Sequence, residues 1–273
     1  MTSPQFSLKG RVAAVTGGAG LLGRQHAAAL AEAGAAVALG DVDGHAARHE
    51  AERVAAVSDA PALGLPLDVT DPQSVLAFRN AVLRALGGLD IVVNNAAIDH
   101  KVEGGASGVR AQERCRYPVE EFRRMVDVNV TGLFLTTEIL GEVLVEQRRG
   151  SVINIASTYG LVAPDPALYR RPDGTTAFRK SPAYPASKGA VLALTRHYAT
   201  AWGGDGVRVN ALSPGGVANG QEGWFQQAYA RRTPLGRMAV PTDYRGGLVF
   251  LASDASAYMT GANLVIDGGF TAW

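Results

Sequence analysis

Tyr184 and Lys188 stand four residues apart at the start of an apolar run that continues to Trp202. On a helix, residues at i and i+4 lie one above the other, so phenol and ammonium would share a face. A tyrosine hydroxyl titrates near ~10 in water, too high for free proton exchange at neutral pH. A cation about 4 Å away, at an effective dielectric of ~20, is worth roughly 4 kcal/mol, or about three pKa units. Such a pair can exchange a proton with a substrate oxygen. The same spacing also arises by chance on long helices, so its meaning depends on the rest of the chain.

Residues 11–16 form a short apolar run that reads as a buried parallel strand. The run enters GGAGLLG at residues 17–23, then an alanine-rich amphipathic segment that ends near Gly34. Gly18, Gly20 and Gly23 spell G-x-G-x-x-G between a strand and a helix, the context in which that motif binds a dinucleotide. The first glycine is expected to permit the tight turn, and the second to admit the pyrophosphate. The third brings helix and strand together, aiming the helix N-terminus at the phosphates. Gly17, Leu21 and Leu22 complete the turn.

A second strand, residues 35–40, ends at Asp41, 18 residues after Gly23. A carboxylate there suits the adenosine ribose and repels the extra phosphate of NADP, so NAD is favoured over NADP. Asp43 competes for that role and otherwise caps the next helix. A surface helix is expected over 44–57 and a third strand over 62–67. Asp68 and Val69 follow that strand, and Asp68 either touches the adenine or satisfies a turn. After a helix from 74 to 86, a fourth strand over 89–93 ends in Asn94, Asn95, Ala96 and Ala97. Small residues and amides at a strand's carboxyl end suit a wall beside a bound cofactor.

Residues 98–117 are polar and aperiodic, and a long helix is expected over 118–147 with Asn129 inside it. A fifth strand over 151–156 delivers Ser157. Residues 161–182 are irregular, carry four prolines, and include Arg170, Arg171, Arg179 and Lys180. The helix of Tyr184 ends near Gly203. A sixth strand over 207–212 leads to Pro214, Gly215 and Val217. A helix over 219–232 carries Trp224, Phe225 and Tyr229; another spans 241–252, and a last strand 264–266. This alternation argues one doubly wound α/β sheet.

The 273 residues are 47% hydrophobic and carry a net charge of +1 with the signs mixed, which leaves no electrostatic footprint for nucleic acid. The single cysteine, Cys115, excludes an intramolecular disulfide and fits a reducing, cytoplasmic compartment. No signal peptide and no apolar run of membrane-spanning length is apparent.

Taken together, these motifs resemble the classical short-chain dehydrogenase/reductase family over nearly the whole chain. The resemblance lies in the glycine turn, Asn94 to Ala96, Asn129 within VNVTG, Ser157, the Tyr184/Lys188 pair and Pro214-Gly215. It implies one Rossmann-type domain over 1–273, with a seven-stranded parallel sheet and helices on both faces. It also implies a homotetramer built on the helices of Asn129 and Tyr184, and a tetrad of Asn129, Ser157, Tyr184 and Lys188. Tyr184 would be the acid/base, Ser157 would orient the substrate oxygen, and Lys188 would hold the nicotinamide ribose and lower the phenol pKa. Asn129 would fix a relay water, while Pro214, Gly215 and Val217 would hold the nicotinamide. Hydride passes directly between nicotinamide and substrate carbon, so no metal is implied.

Three departures stand out. Leu21 occupies the usual third-glycine position, Asn219 replaces a common threonine, and Ser157 and Tyr184 are separated by 27 residues rather than about a dozen. Residues 161–182 therefore form an insertion beside the site. With the STYG run at 157–160 and the C-terminal DGGFTAW, that insertion resembles a subgroup associated with bacterial surface-sugar, nonulosonate-type biosynthesis, in which the basic residues would meet a phosphorylated sugar. The expected function is an NAD-dependent dehydrogenase or ketone reductase on a secondary alcohol of a sugar-like or other polar substrate. An NADP-dependent 3-oxoacyl ketoreductase and a non-catalytic nicotinamide sensor are the alternatives.

Overall fold

Among the described residues, seven short runs form parallel strands; the five central ones are buried between helices packed on the two faces of the sheet, and the two edge strands are only partly covered. The computed structural model describes residues 4–99, 117–177 and 179–273. Cys115 and most of the aperiodic segment 98–117 lie outside them. β1 (Val12–Thr16) leads to α1 (Gly23–Glu32), β2 (Ala36–Asp41), α2 (Gly44–Val57) and β3 (Ala62–Pro66). α3 (Pro72–Leu86) and β4 (Ile91–Asn94) follow. After the undescribed stretch come α4 (Val119–Val126), α5 (Gly132–Glu146), β5 (Gly150–Ile155) and α6 (Ala183–Trp202). The chain closes with β6 (Val207–Pro214), α7 (Gly223–Arg232), α8 (Arg245–Ala252) and β7 (Asn263–Ile266).

The strand order is β3-β2-β1-β4-β5-β6-β7, parallel throughout. The strand order reverses between β1 and β4, which opens the crevice where ligands bind in such sheets. Leu30 and Ala27 of α1, Val54 of α2 and Leu248 of α8 pack on one face with Val15, Val37 and Val93. Phe78 of α3, Leu140 and Leu144 of α5 and Tyr198 of α6 pack on the other with Val92, Val152 and Val209.

Local signals account for the boundaries. Asp43 accepts from the backbone N–H groups of His45 and Ala46 and so caps α2. Asp71 caps α3 with Pro72 in its first turn, and Gly87 closes that helix in the left-handed region at φ 78°. The helix expected over 118–147 is continuous but not uniform. Asp127–Thr131 winds as a π turn between α4 and α5. Such turns rotate the helix register by one residue and recur at functional sites. Helix α7 starts at Gly223, later than the pattern suggested, because the chain bends at 219–220 with Gly220 at φ 77°.

By length and composition, the continuous helix Val119–Glu146 could cross a membrane, a feature that the sequence reading had not registered. Of its most apolar window, 44% is buried inside the fold, against α3 and α6.

His26 of α1 is fully buried behind the glycine turn, and neither ring nitrogen has a hydrogen-bond partner. Burial pulls its pKa from 6.5 to about 4. Between those two pH values the unfolded chain binds a proton that the folded chain excludes. Stability from this site is therefore complete above pH 6.5 and falls as pH drops toward 4, by about 3 kcal/mol in all. His26→Leu, similar in volume, should flatten that stretch of the profile when thermal midpoints are compared at pH 7 and pH 4.5.

Candidate active site

The glycine turn, the carboxyl ends of β2, β4 and β5, and the N-terminus of α6 enclose one cavity of about 830 Å³. Gly17 takes φ 62°, and a Cβ there would lie 2.9 Å from the Ala96 Cα. The left-handed turn thus falls to Gly17, a correction to the expectation that the first glycine of G-x-G-x-x-G, Gly18, would supply it. Gly18 instead packs on Leu39 of β2, where a Cβ would come within 2.7 Å of the Leu39 Cβ. Gly23 begins α1 so close to the turn that a Cβ would stand 2.0 Å from the Gly17 carbonyl oxygen. Gly20 is exposed and meets only that oxygen, at 3.2 Å. No side chain caps α1 at Leu22; the Arg24 N–H donates to the Gly20 carbonyl at 3.2 Å, and the helix N-terminus faces the turn as a place for an anion.

Asp41 ends β2 on the cavity wall and accepts from the Ala19 N–H at 3.1 Å, holding the turn beside it. Asp68 accepts from the N–H and hydroxyl of Thr70, which satisfies a turn, and it also lines the cavity with Val69. Asn95 ties β4 to the glycine turn by donating to the carbonyls of Thr16 and Gly17, both at 3.0 Å. The Thr16 hydroxyl receives the N–H groups of Asn95 and Ala96 in return. Leu21, Leu22, Ala97, Pro214, Gly215 and Val217 complete the expected cofactor wall. These features fit a dinucleotide: a glycine bend with an open face, a helix N-terminus without a side-chain cap and a carboxylate at the end of the second strand.

Gly18, Gly23, Asn94 and Asn129 stand behind that wall. Asn94 donates to Thr137 and Asn154, and Asn154 donates onward to Thr195 of α6, a buried polar strut linking β4, β5 and α6. Asn129 sits in the π turn, 1% exposed, with its amide fully engaged. Its Oδ1 accepts from the Ile98 N–H at 2.8 Å, and its Nδ2 donates to the Ile98 carbonyl and to Ser187 Oγ. It acts in this structure as a clamp on the backbone after β4.

Tyr184 and Lys188 fall one turn apart on α6, as their spacing predicts. The Lys188 ammonium, 3% exposed, donates to the Ile155 carbonyl at 2.7 Å and lies 5.8 Å from the centre of the Tyr184 ring. Ser157, two residues beyond β5, lines the cavity beside the Tyr184 phenol. Burial and the Asp99 carboxylate push that phenol above its ordinary value, and Ser157 only partly opposes them. Burial likewise pulls Lys188 down to about 8, against the raising influence of Asp99. The expectation that Lys188 brings the phenol toward neutrality is therefore corrected for this form of the chain. Desolvation is the largest cause of the shift, and Asp99 adds to it.

Several wall residues escaped the sequence reading. Asp99 and Tyr159 line the cavity, and Lys180, noted only as one of four basic insertion residues, lies 4.6 Å from the Tyr184 ring centre. Ser187 could have been found from its place between Tyr184 and Lys188, and Tyr159 from the STYG run at 157–160; Asp99 carries no such signal. The insertion is anchored rather than free. Leu168 and Tyr169 are buried with Phe225, Tyr229, Met238 and Phe270. Tyr229 accepts from the Gly216 N–H at 2.6 Å and stacks on Phe270, so it secures the turn after β6. Among the described residues, no group of three His, Cys, Asp or Glu is placed to hold a metal ion.

Residues 11–169 match the family model described as short chain dehydrogenase, and residues 172–271 match that described as Enoyl-(Acyl carrier protein) reductase. The chain is 37% identical over 265 residues to the 3-alpha-(or 20-beta)-hydroxysteroid dehydrogenase of Mycobacterium tuberculosis, covering 97% of this chain and 91% of that protein. It is 35% identical over 271 residues to the D-threitol dehydrogenase of Mycolicibacterium smegmatis, with coverage of 97% and 95%. The crystal structure of a gluconate 5-dehydrogenase from Burkholderia cenocepacia, in complex with NADP and tartrate, superposes with a TM-score of 0.84. That protein is 28% identical, with 98% of each chain covered.

Two glycine substitutions should separate folding from cofactor binding. Gly23→Ala should lower the thermal midpoint and abolish dinucleotide binding, since its Cβ meets backbone. Gly20→Ala should leave the midpoint near wild type and weaken dinucleotide affinity about tenfold, roughly 1.4 kcal/mol, by fluorescence titration.

Proposed function

The chain belongs to the short-chain dehydrogenase/reductase family, and on that premise we propose that it interconverts a secondary alcohol and a ketone on a polyol or sugar-like substrate, with NAD preferred. The observation that carries this reading is the meeting of Tyr184, Ser157 and Lys188 in the cavity that also holds the glycine turn and Asp41. When bound, the dinucleotide supplies or accepts the hydride. Tyr184 exchanges the proton of the substrate oxygen, and Ser157, on the same cavity wall, orients that oxygen. Lys188, fixed by Ile155, binds the ribose side and stabilises the phenolate once it forms. Asn129 holds the Ile98 backbone in place.

The raised phenol suits a proton donor to a ketone, and in the dinucleotide-free protein Tyr184 should ionise only above pH 10. The difference in phenolate absorbance between wild type and Tyr184→Phe checks this; a Tyr184 signal appearing near pH 7 would contradict it. Tyr184→Phe should also cut turnover by at least about 100-fold while dinucleotide binding persists. Unchanged turnover would sink the acid/base assignment, and the non-catalytic sensor reading with it gains ground only if wild type is itself inactive.

Asp41 supports NAD over NADP: its carboxylate would face the extra phosphate. The NADP in the gluconate 5-dehydrogenase structure makes the ratio of kcat/KM for the two dinucleotides the test. The polar substrate reading draws on the D-threitol dehydrogenase relative and on the polar end of the cavity at Ser157, Tyr159 and Lys180. Phosphorylated surface sugars, the narrower sequence expectation, find less support. Lys180 is paired with Asp99, and Arg171 lies 3.9 Å from Glu222, so those charges are already compensated. Phe225 and Met238 on the same wall favour a second reading, an apolar alcohol such as the substrate of the hydroxysteroid relative or an acyl chain. Dinucleotide reduction with polyols, a hydroxysteroid and a 3-hydroxyacyl thioester decides between them. A homotetramer in the cytoplasm is part of the proposal, supported by the exposed Val119, Phe122 and Phe134 on α4 and α5. Sedimentation of the purified protein tests the assembly.

A further inference from the structure

Lys188 is committed to the Ile155 carbonyl, yet a second ammonium lies close to the Tyr184 ring. Lys180 stands 4.6 Å from the Tyr184 ring centre and 5.7 Å from that of Tyr159, and it is ion-paired with Asp99. Its side chain is 9% exposed and that of Asp99 33%. Taking a charge pair this far out of water offers little stability that apolar residues would not match, so the fold alone does not account for it. Both residues line the cavity beside Ser157 and Tyr184.

We propose that Lys180 and Asp99 are the specificity-determining pair of the site, hydrogen-bonding the hydroxyl groups that a neutral polyol carries beside its reacting carbon. This rests on the polyol reading above. A hydroxyl can donate to the Asp99 carboxylate and accept from the Lys180 ammonium, so adjacent hydroxyls match the pair in both polarities. A carboxylate or phosphate would gain from Lys180 and be repelled by Asp99, so the pair selects neutral substrates over anionic ones. The Tyr159 and Tyr169 hydroxyls, 3.1 Å apart, extend the same polar end of the wall. The insertion now has a task. Leu168 and Tyr169 anchor it on α7, and its last residues present Lys180 just before α6 begins.

Steady-state kinetics on 2-butanol, 2,3-butanediol, D-threitol and D-threonate test the assignment, since these share a four-carbon skeleton and differ in hydroxyl and carboxylate groups. Wild type, Lys180→Met, Lys180→Arg and Asp99→Asn are compared at saturating dinucleotide. For Lys180→Met, the loss of kcat/KM with D-threitol should exceed that with 2-butanol by about tenfold or more, and appear mainly in KM. Lys180→Arg should recover part of it, and Asp99→Asn should shift preference toward D-threonate. Equal losses on 2-butanol and D-threitol would assign Lys180 to Tyr184 or to the fold and overturn the proposal. Unchanged discrimination in all three variants would also overturn it while leaving the polyol reading intact. A wild type that oxidises no polyol would remove that reading and this inference together.

Discussion

The ammonium of Lys188, buried against the carbonyl of Ile155, determines how the site is assembled. An ammonium this far from water is tolerated only with a partner, and the partner is the carbonyl at the last residue of β5. That contact joins α6 to the end of β5, alongside the Asn154–Thr195 bond and the apolar packing of the helix. With α6 fixed, helix geometry places Tyr184 one turn earlier, and chain continuity places Ser157 two residues beyond Ile155. Phenol, hydroxyl and ammonium converge because they lie at fixed offsets from one hydrogen bond. The burial that makes the contact strong also pulls Lys188 down to about 8 and raises Tyr184.

Around this centre, buried polar groups hold the crevice open at the switch point of the sheet. Asn95 and Thr16 bind the end of β4 to the glycine turn, and the Asn94-Asn154-Thr195 chain ties β4 and β5 to α6. Asn129 depends on the π turn, which aims its amide at both Ile98 and Ser187. Each of these groups would be costly if left unpaired, so the network fixes strand ends that hydrophobic packing alone would leave loosely defined. Dehydrogenase chemistry needs that rigidity, because a misplaced reacting pair loses rate steeply.

Much of this was legible in the residues. The seven apolar runs and their helices were readable because a doubly wound sheet repeats one pattern, and Tyr184/Lys188 because helical spacing is a local property. Gly17 was passed over for Gly18, since the motif records three glycines and not which of them must take a positive φ. The π turn left no mark on the apolar periodicity of residues 118–147. The direction of the Tyr184 shift was misread because a neighbouring charge is visible in sequence and desolvation is not. Lys180 was visible as a basic residue, but its approach to Tyr184 depends on how Leu168 and Tyr169 anchor the insertion, a tertiary fact.

The central claim is that Tyr184 and Ser157 share one substrate oxygen while Lys188 stays bound to Ile155. A crystal structure of the protein with a bound nicotinamide dinucleotide and D-threitol tests it most directly. The account predicts a substrate oxygen within hydrogen-bond distance of both the Tyr184 phenol and the Ser157 hydroxyl, with the Lys188–Ile155 bond intact. A substrate oxygen that touches neither residue, or a Lys188 released from β5, would contradict it.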